Sequence, residues 1–272
     1  MSWNKFWLIL GSLLAILFVL VGIKIYNSTH DYFAQMPPLS EQLGLHTSVK
    51  SNDPQLASKT YTSGKMAIVD VNNGMSTLDR NSWKKNQIKY GKFDQLKRTS
   101  GVTTAYLEQR NVTDSSDRDQ QTVVPTGWNQ QVINGKEVFN RGHLIAYSLT
   151  KGFNKKGRYR FYRRKGDENN KRNLFLETAF TNQRLQTIFE AKVRQALLED
   201  RKVIYQVQPV YRNGEVMPRG VHLQAISTDG QLNFNVYLFN VEPGVKFNYQ
   251  TGTATRDATM SVPVPNDAPK FN

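Results

Sequence analysis

The sequence predicts an α+β fold built on an antiparallel sheet, preceded by an apolar segment long enough to span a membrane. Three observations carry this. Apolar residues at Leu185, Ile188, Phe189, Val193, Ala196 and Leu197 recur at helical spacing, so Thr181–Asp200 reads as one amphipathic helix. After it come three runs rich in strand-forming residues, Val203–Arg212, Val221–Ser227 and Leu232–Val241. They are separated by Asn213-Gly214 and Asp229-Gly230, the turn chemistry of antiparallel connections. Strands and helices do not alternate along the chain, which argues against a doubly wound parallel sheet.

Phe6–Ile23 is an uncharged run of 18 residues, broken only by Gly11, Ser12 and Gly22. As a helix it would be about 27 Å long, close to the hydrocarbon thickness of a bilayer. Lys24-Ile25-Tyr26-Asn27 follows without a small-x-small cleavage site, so residues 1–27 read as an uncleaved signal-anchor with the lipid bilayer as partner. Lys5 and Lys24 nearly cancel under the positive-inside rule. The long domain behind a first anchor is expected outside the cell, in a single-pass arrangement, with a secreted form if the anchor is cleaved. Residues 28–60, with Pro37-Pro38 and no periodicity, read as a connector, and the Pro-rich residues 257–272 as a flexible tail. That leaves a folded domain over 61–256. Its first clear strand is Gly101–Gln109, rich in β-branched and aromatic residues.

The 272 residues contain no cysteine, which excludes a disulfide scaffold, a Cys-ligated zinc or iron–sulfur site and a thiol nucleophile. An apolar fraction of 39% suffices for a core. Lys and Arg total 36 against 22 Asp and Glu, a net charge of +14, which points to a polyanionic partner. Within residues 151–172 there are ten Lys or Arg against Asp167 and Glu168, a net +8. Phe153, Tyr159, Phe161 and Tyr162 interleave with them. Cations with aromatics suit phosphate contacts and base stacking, so Lys155, Lys156, Arg158, Arg160, Arg163, Arg164 and Lys165 are candidate nucleic-acid contacts. An anionic membrane surface is the competing partner.

Of the four histidines, His30 and His46 lie in the connector and His222 in a strand, where a structural role is simplest. His143, in Asn140-Arg141-Gly142-His143, combines a titratable base with a nearby guanidinium just before the basic segment. Downstream, Asn182, Gln186, Glu190 and Arg194 recur every four residues along one strip of the predicted helix. Such a strip is most often merely solvated. Its functional reading places the Asn182 amide oxygen on a hard cation such as Mg²⁺, with Glu190 in the surrounding shell.

These residues resemble those of a known family. Asn140-Arg141-Gly142-His143 is similar to the Asp-Arg-Gly-His motif of the DNA/RNA non-specific endonucleases, and in particular to the membrane-anchored DNA-entry nucleases of streptococci and their secreted relatives. Pro125-Thr126-Gly127-Trp128, His143–Tyr147, Asn173-Leu174, Thr178–Gln183, Phe189–Arg194 and the Tyr249–Gly252 segment extend the resemblance over most of 100–255. It implies a ββα-metal core with His143 as general base and Asn182 as the protein ligand of Mg²⁺, for which Mn²⁺ can substitute. It further implies that Glu190 acts beside the metal and that Asn173, Arg141 and Arg194 line the site. The family also uses an upstream arginine near the scissile phosphate; Arg110 and Arg118 both fall in the window, with Arg110 preferred. Asn140 departs from the motif by removing a charge.

The function so implied is Mg²⁺-dependent hydrolysis of DNA, and of RNA, with little sequence preference, leaving 5′-phosphate ends. The alternative is an extracellular DNA-binding or uptake protein on the same fold whose catalysis is impaired through Asn140. A third reading is a basic adhesion protein on a membrane or wall surface.

Overall fold

The computed structural model describes residues 50–113 and 118–270. The expected anchor at Phe6–Ile23 lies outside them, as do the first 22 residues of the expected connector. Among the described residues no helix is long and apolar enough to cross a membrane.

A short helix α1 (Pro54–Ala57) is followed by strands β1 (Ile68–Asp70), β2 (Gln87–Lys89) and β3 (Thr103–Leu107). Next come the small hairpin β4 (Val132–Ile133) and β5 (Lys136–Glu137), and then β6 (Phe139–His143) and β7 (Leu174–Thr178). After helix α2 (Thr187–Leu198) the chain adds β8 (Val203–Val210), β9 (Gly220–Ser227), β10 (Asn233–Phe239), β11 (Val245–Asn248) and β12 (Thr253–Arg256). Six strands form one antiparallel sheet in the order β1-β10-β9-β8-β3-β2, and β6 pairs with β7 in a separate antiparallel ladder. The α+β reading with an antiparallel sheet therefore holds.

Alternation along β8 explains how the main sheet is covered on both faces. Val203, Tyr205 and Val207 join Ile188, Phe189, Val193 and Leu197 of α2 in the principal core. Ile204 turns the other way, into a smaller cluster with Tyr106 and Ile226 that Leu78 and Trp83 cover. The apolar stripe that predicts the helix is thus the stripe that packs on the sheet.

Three details differ from the sequence expectation. The helix does not start as a regular α-helix at Thr181: Thr181–Gln186 forms a π-helical turn that runs into α2. The β8–β9 connection is a nine-residue excursion instead of a tight Asn-Gly turn. The buried side chain of Arg98, 1% exposed, reaches into it and donates to the carbonyls of Asn213 and Glu215 while lying over the Tyr211 ring. The packed domain is also wider than 61–256. Asp53 caps α1, whose Leu56 and Ala57 are buried in the principal core, and Val262 enters the same core from the far end. Gly244 N–H donates to Met260 O, and Gly64 N–H to Ser261 O. These flanks carry no periodic pattern, so their packing is invisible until the domain they pack against is known.

The buried residue Asn240 helps to fasten the β6–β7 ladder to the main sheet. Asn240 accepts from Thr178 N–H at 2.8 Å and donates to the carbonyls of Leu176 and Pro218. The carboxylate of Glu242, just beyond β10, accepts from Phe180 N–H at 2.7 Å at the start of the helical segment. Two antiparallel strands followed by a helix are thereby held as a unit against the sheet.

Candidate active site

His143 ends β6, opposite Leu174 of β7. Two contacts fix its approach. Asn173 spends its amide on the Ile145 backbone, accepting from Ile145 N–H and donating to Ile145 O at 3.0 Å each. Gln186, on the π-helical turn, donates to the His143 carbonyl at 2.7 Å. The imidazole itself hydrogen-bonds to the backbone of Glu168 and Asp167. Nε2 has no partner, so Nδ1 carries the proton and Nε2 holds the free lone pair. Burial, and then the positive charge of Arg118, pushes the imidazole down from its usual value near 6.5 to about 4. At neutral pH His143 is an uncharged base.

His143 lines a cavity of about 530 Å³ with Arg118, Tyr147, Asn182, Glu190 and Arg194. The π-helical turn sets Asn182 and α2 sets Glu190 and Arg194, so the strip of the sequence reading does converge on one wall. Glu190 accepts from Gln186 Nε2 at 2.9 Å, and its carboxyl is raised by burial against the opposing charges of Arg194 and Arg118. Arg194 reaches Ser148 Oγ at 3.4 Å. Asn182 is held on both sides: its Oδ1 accepts from Asn140 Nδ2 at 3.0 Å, and its Nδ2 donates to Glu177 Oε2 at 2.9 Å. Burial holds the Glu177 carboxyl well above its ordinary value.

Of the predicted site residues, His143, Asn182, Glu190 and Arg194 meet here. Three do not line this cavity. Asn173 is fully buried, and its amide clamps the backbone behind His143. The Arg141 guanidinium stacks on the Trp128 ring, 4.4 Å from its centroid. Arg110 pairs with Glu108 and lies over Tyr159 at 4.5 Å. Arg118, the other upstream candidate, lines the cavity, its guanidinium 4.9 Å from the Tyr147 ring centroid. Sequence reasoning missed the role of the 167–168 carbonyls and of Glu177, which no local pattern announces. Gln186 was on the strip but had no assigned role.

The basic segment divides as well. Phe153 is buried and Tyr159 packs on the core, whereas Phe161 and Tyr162 are 80% and 65% exposed. Lys165 bridges to Asp119 at 2.8 Å, and Arg163 is half-buried beside the Tyr90–Asp167 pair. Arg160 and Arg164 are exposed. Lys155, Lys156 and Arg158 instead line a second hollow of about 640 Å³ with Lys171, Arg172 and Phe93. His222, as expected, is structural: its Nε2 meets Asn235 Oδ1 at 2.6 Å across β9 and β10.

The sequence profile of the DNA/RNA non-specific endonucleases matches residues 77–158, the stretch that contains His143 and Arg118. A deoxyribonuclease of Streptococcus dysgalactiae subsp. equisimilis is 34% identical over 62 residues, which is 23% of this chain and only 19% of that relative's length. Crystal structures of NucA from Streptococcus agalactiae superpose with a TM-score of 0.60. The metal-free form is 27% identical over 72% of this chain and 90% of its own, and the magnesium-bound form is 29% identical over 70% and 87%. The zinc-bound Sda1 nuclease, at 20% identity and a TM-score of 0.52, shares the fold. The DNA/RNA non-specific endonuclease profile thus lies across the motif over residues 77–158, and the chain shares the fold of the NucA nuclease.

Proposed function

We propose that the chain is a divalent-metal-dependent endonuclease that hydrolyses DNA with little sequence preference. The observation that carries this reading is a neutral, oriented imidazole with a free Nε2, on the wall of a cavity shared with oxygen donors and two guanidinium groups. The donor set fits a hard cation. Asn182 and Glu190 offer oxygen atoms, and the described residues contain no closed group of three or more His, Asp or Glu. One amide donor, with Glu190 beside it, suits Mg²⁺, which sheds its hydration shell reluctantly. Magnesium in one NucA structure and zinc in Sda1 support a divalent ion in the family's sites. When bound, the cation would neutralise charge on the phosphate and on the departing oxygen.

The chain's own groups do the rest. His143 Nε2 takes a proton from the attacking water as the new O–P bond forms. Nδ1, tied to the 167–168 carbonyls, keeps the ring from turning and stabilises the charge it acquires. Arg118 and Arg194, both lining the cavity, would stabilise the developing negative charge of a phosphate held there. The P–O3′ bond breaks and the departing oxygen takes a proton from solvent, leaving a 5′-phosphate and a 3′-hydroxyl, and His143 returns its proton to solvent. Phosphate-directed contacts carry no base information, so sequence preference is low and RNA is also a substrate.

The second hollow extends the nucleic-acid track. Residues 118–123 run from the cavity, which Arg118 lines, to the hollow, which Val123 lines. Five residue steps span at most about 17 Å, or about five base-pair rises of duplex. Lys155, Lys156, Arg158, Lys171 and Arg172 would there contact phosphates flanking the scissile one. The reading is tested by plasmid nicking with and without EDTA: cleavage that needs no metal, or no cleavage under any metal, overturns it. Placement at the outer face of the membrane, carried by Phe6–Ile23, is part of the same proposal. Protease accessibility on intact cells checks it, and full protection contradicts it.

A further inference from the structure

Asn140 and Glu177 face each other across the β6–β7 ladder, and both of their side chains end on the same amide, that of Asn182. Asn140 donates to the oxygen and Glu177 accepts from the nitrogen, so the two residues together hold the amide in this orientation. Glu177 is fully buried, and its Oε1 has no partner. Burying an ionisable group this way is costly unless the fold gains something from it. The fold also makes room for it: a Cβ on Gly142 would sit 2.1 Å from Glu177 Oε2, so the glycine before His143 leaves the space that the carboxylate fills.

We propose that Glu177 is a positioning residue for the cation site: with Asn140 it locks the Asn182 amide from behind and so fixes the direction of its oxygen. The inference rests on Asn182 being a cation ligand. Outer-shell partners of this kind are worth about 10–100-fold in metal affinity.

The test titrates Mg²⁺ into the full-length protein without DNA and reads binding by calorimetry and by the rise in Tm. Glu177→Met removes the acceptor at similar volume. It is expected to weaken Mg²⁺ affinity by about 10–100-fold, with DNA affinity in EDTA unchanged and cleavage recovered at higher Mg²⁺. Glu177→Gln keeps an acceptor oxygen and is expected to stay within about threefold of the parent, since the hydrogen bond to Asn182 survives. Unchanged Mg²⁺ affinity in Glu177→Met, or equal weakening in Glu177→Gln, overturns the proposal. If Glu177→Met does not fold, Asn140→Ala removes the other hydrogen bond and carries the same expectation and the same refutation. Asn182→Ala separates the two levels: parental Mg²⁺ affinity there would mean that the ligand assignment, and not the role of Glu177, has failed.

Discussion

The cavity at the end of β6 and the basic hollow beside it handle polar groups in opposite ways. Around His143, amides are buried or half-buried and engaged with particular atoms: Gln186 with the His143 carbonyl, Asn182 between Asn140 and Glu177, Asn173 with the Ile145 backbone. In the hollow, Lys155, Lys156, Arg158, Lys171 and Arg172 are exposed on a loop surface. The contrast separates two kinds of contribution. Buried, fully directed groups set the rate of a chemical step, because their geometry is fixed before the substrate arrives. Exposed cations set affinity and its salt dependence, through release of counterions.

The sharpest way to break that contrast is at the two arginines. Arg118→Ala should lower kcat/KM by about 10²-fold, the scale of losing one directed donor to a developing charge. Arg110→Ala, which removes an exposed partner of Glu108, should stay within about twofold. Steady-state cleavage of a defined duplex checks both, and the reverse ranking would return the upstream arginine to position 110.

The pH dependence comes next. His143 is active when neutral, so cleavage should fall about tenfold per pH unit below about pH 4. The linkage to stability has the same direction. Between about pH 6.5 and 4 the unfolded imidazole binds a proton that the folded one does not, so stability declines as pH falls through this window. The loss is roughly 3 kcal/mol in all. Urea midpoints of the parent and of His143→Gln, which lacks this titration, should converge towards pH 4; parallel curves would contradict the buried, neutral imidazole.

A smaller effect is expected at the domain's edges. A fragment limited to 61–256 loses Leu56, Ala57 and Val262 from the core, and should be less stable than 50–270 by about 3–5 kcal/mol on the usual value of buried aliphatic side chains. Equal Tm values would restore the narrower boundary. The smallest effect belongs to the hollow. Replacing Lys155, Lys156 and Arg158 with Ala should leave kcat unchanged and flatten the salt slope of duplex binding by about 0.9 per lost phosphate contact. The same treatment of half-buried Arg163 and of Lys165, which pairs with Asp119, should flatten it less.

How much of this was legible in the sequence follows from the same division. The sheet and the helix could be read because their burial is periodic: Leu185, Ile188, Phe189 and Val193 face the core at the spacing that predicts them. His143, Asn182, Glu190 and Arg194 could be read because the first has few competitors and the rest lie on one helical strip. Arg118 could not be distinguished from Arg110, since what separates them is the fold of a loop and the partner each finds. Glu177 was invisible for a related reason. In the sequence it is one acid in the strand-forming stretch Leu174–Thr178, and only the cross-strand register with Asn140 gives it a role. The aromatics of the basic segment read alike, yet Phe153 and Tyr159 hold the loop to the core while Phe161 and Tyr162 face solvent.

The central claim is that the free nitrogen of His143 is the base of a metal-dependent cleavage reaction. Its most direct test is single-turnover plasmid nicking by the full-length protein and by His143→Ala at neutral pH with saturating Mg²⁺, beside DNA binding measured in EDTA. The account predicts that His143→Ala loses about 10²–10⁴-fold in cleavage rate while binding DNA as the parent does. Cleavage by the variant at the parental rate would contradict it.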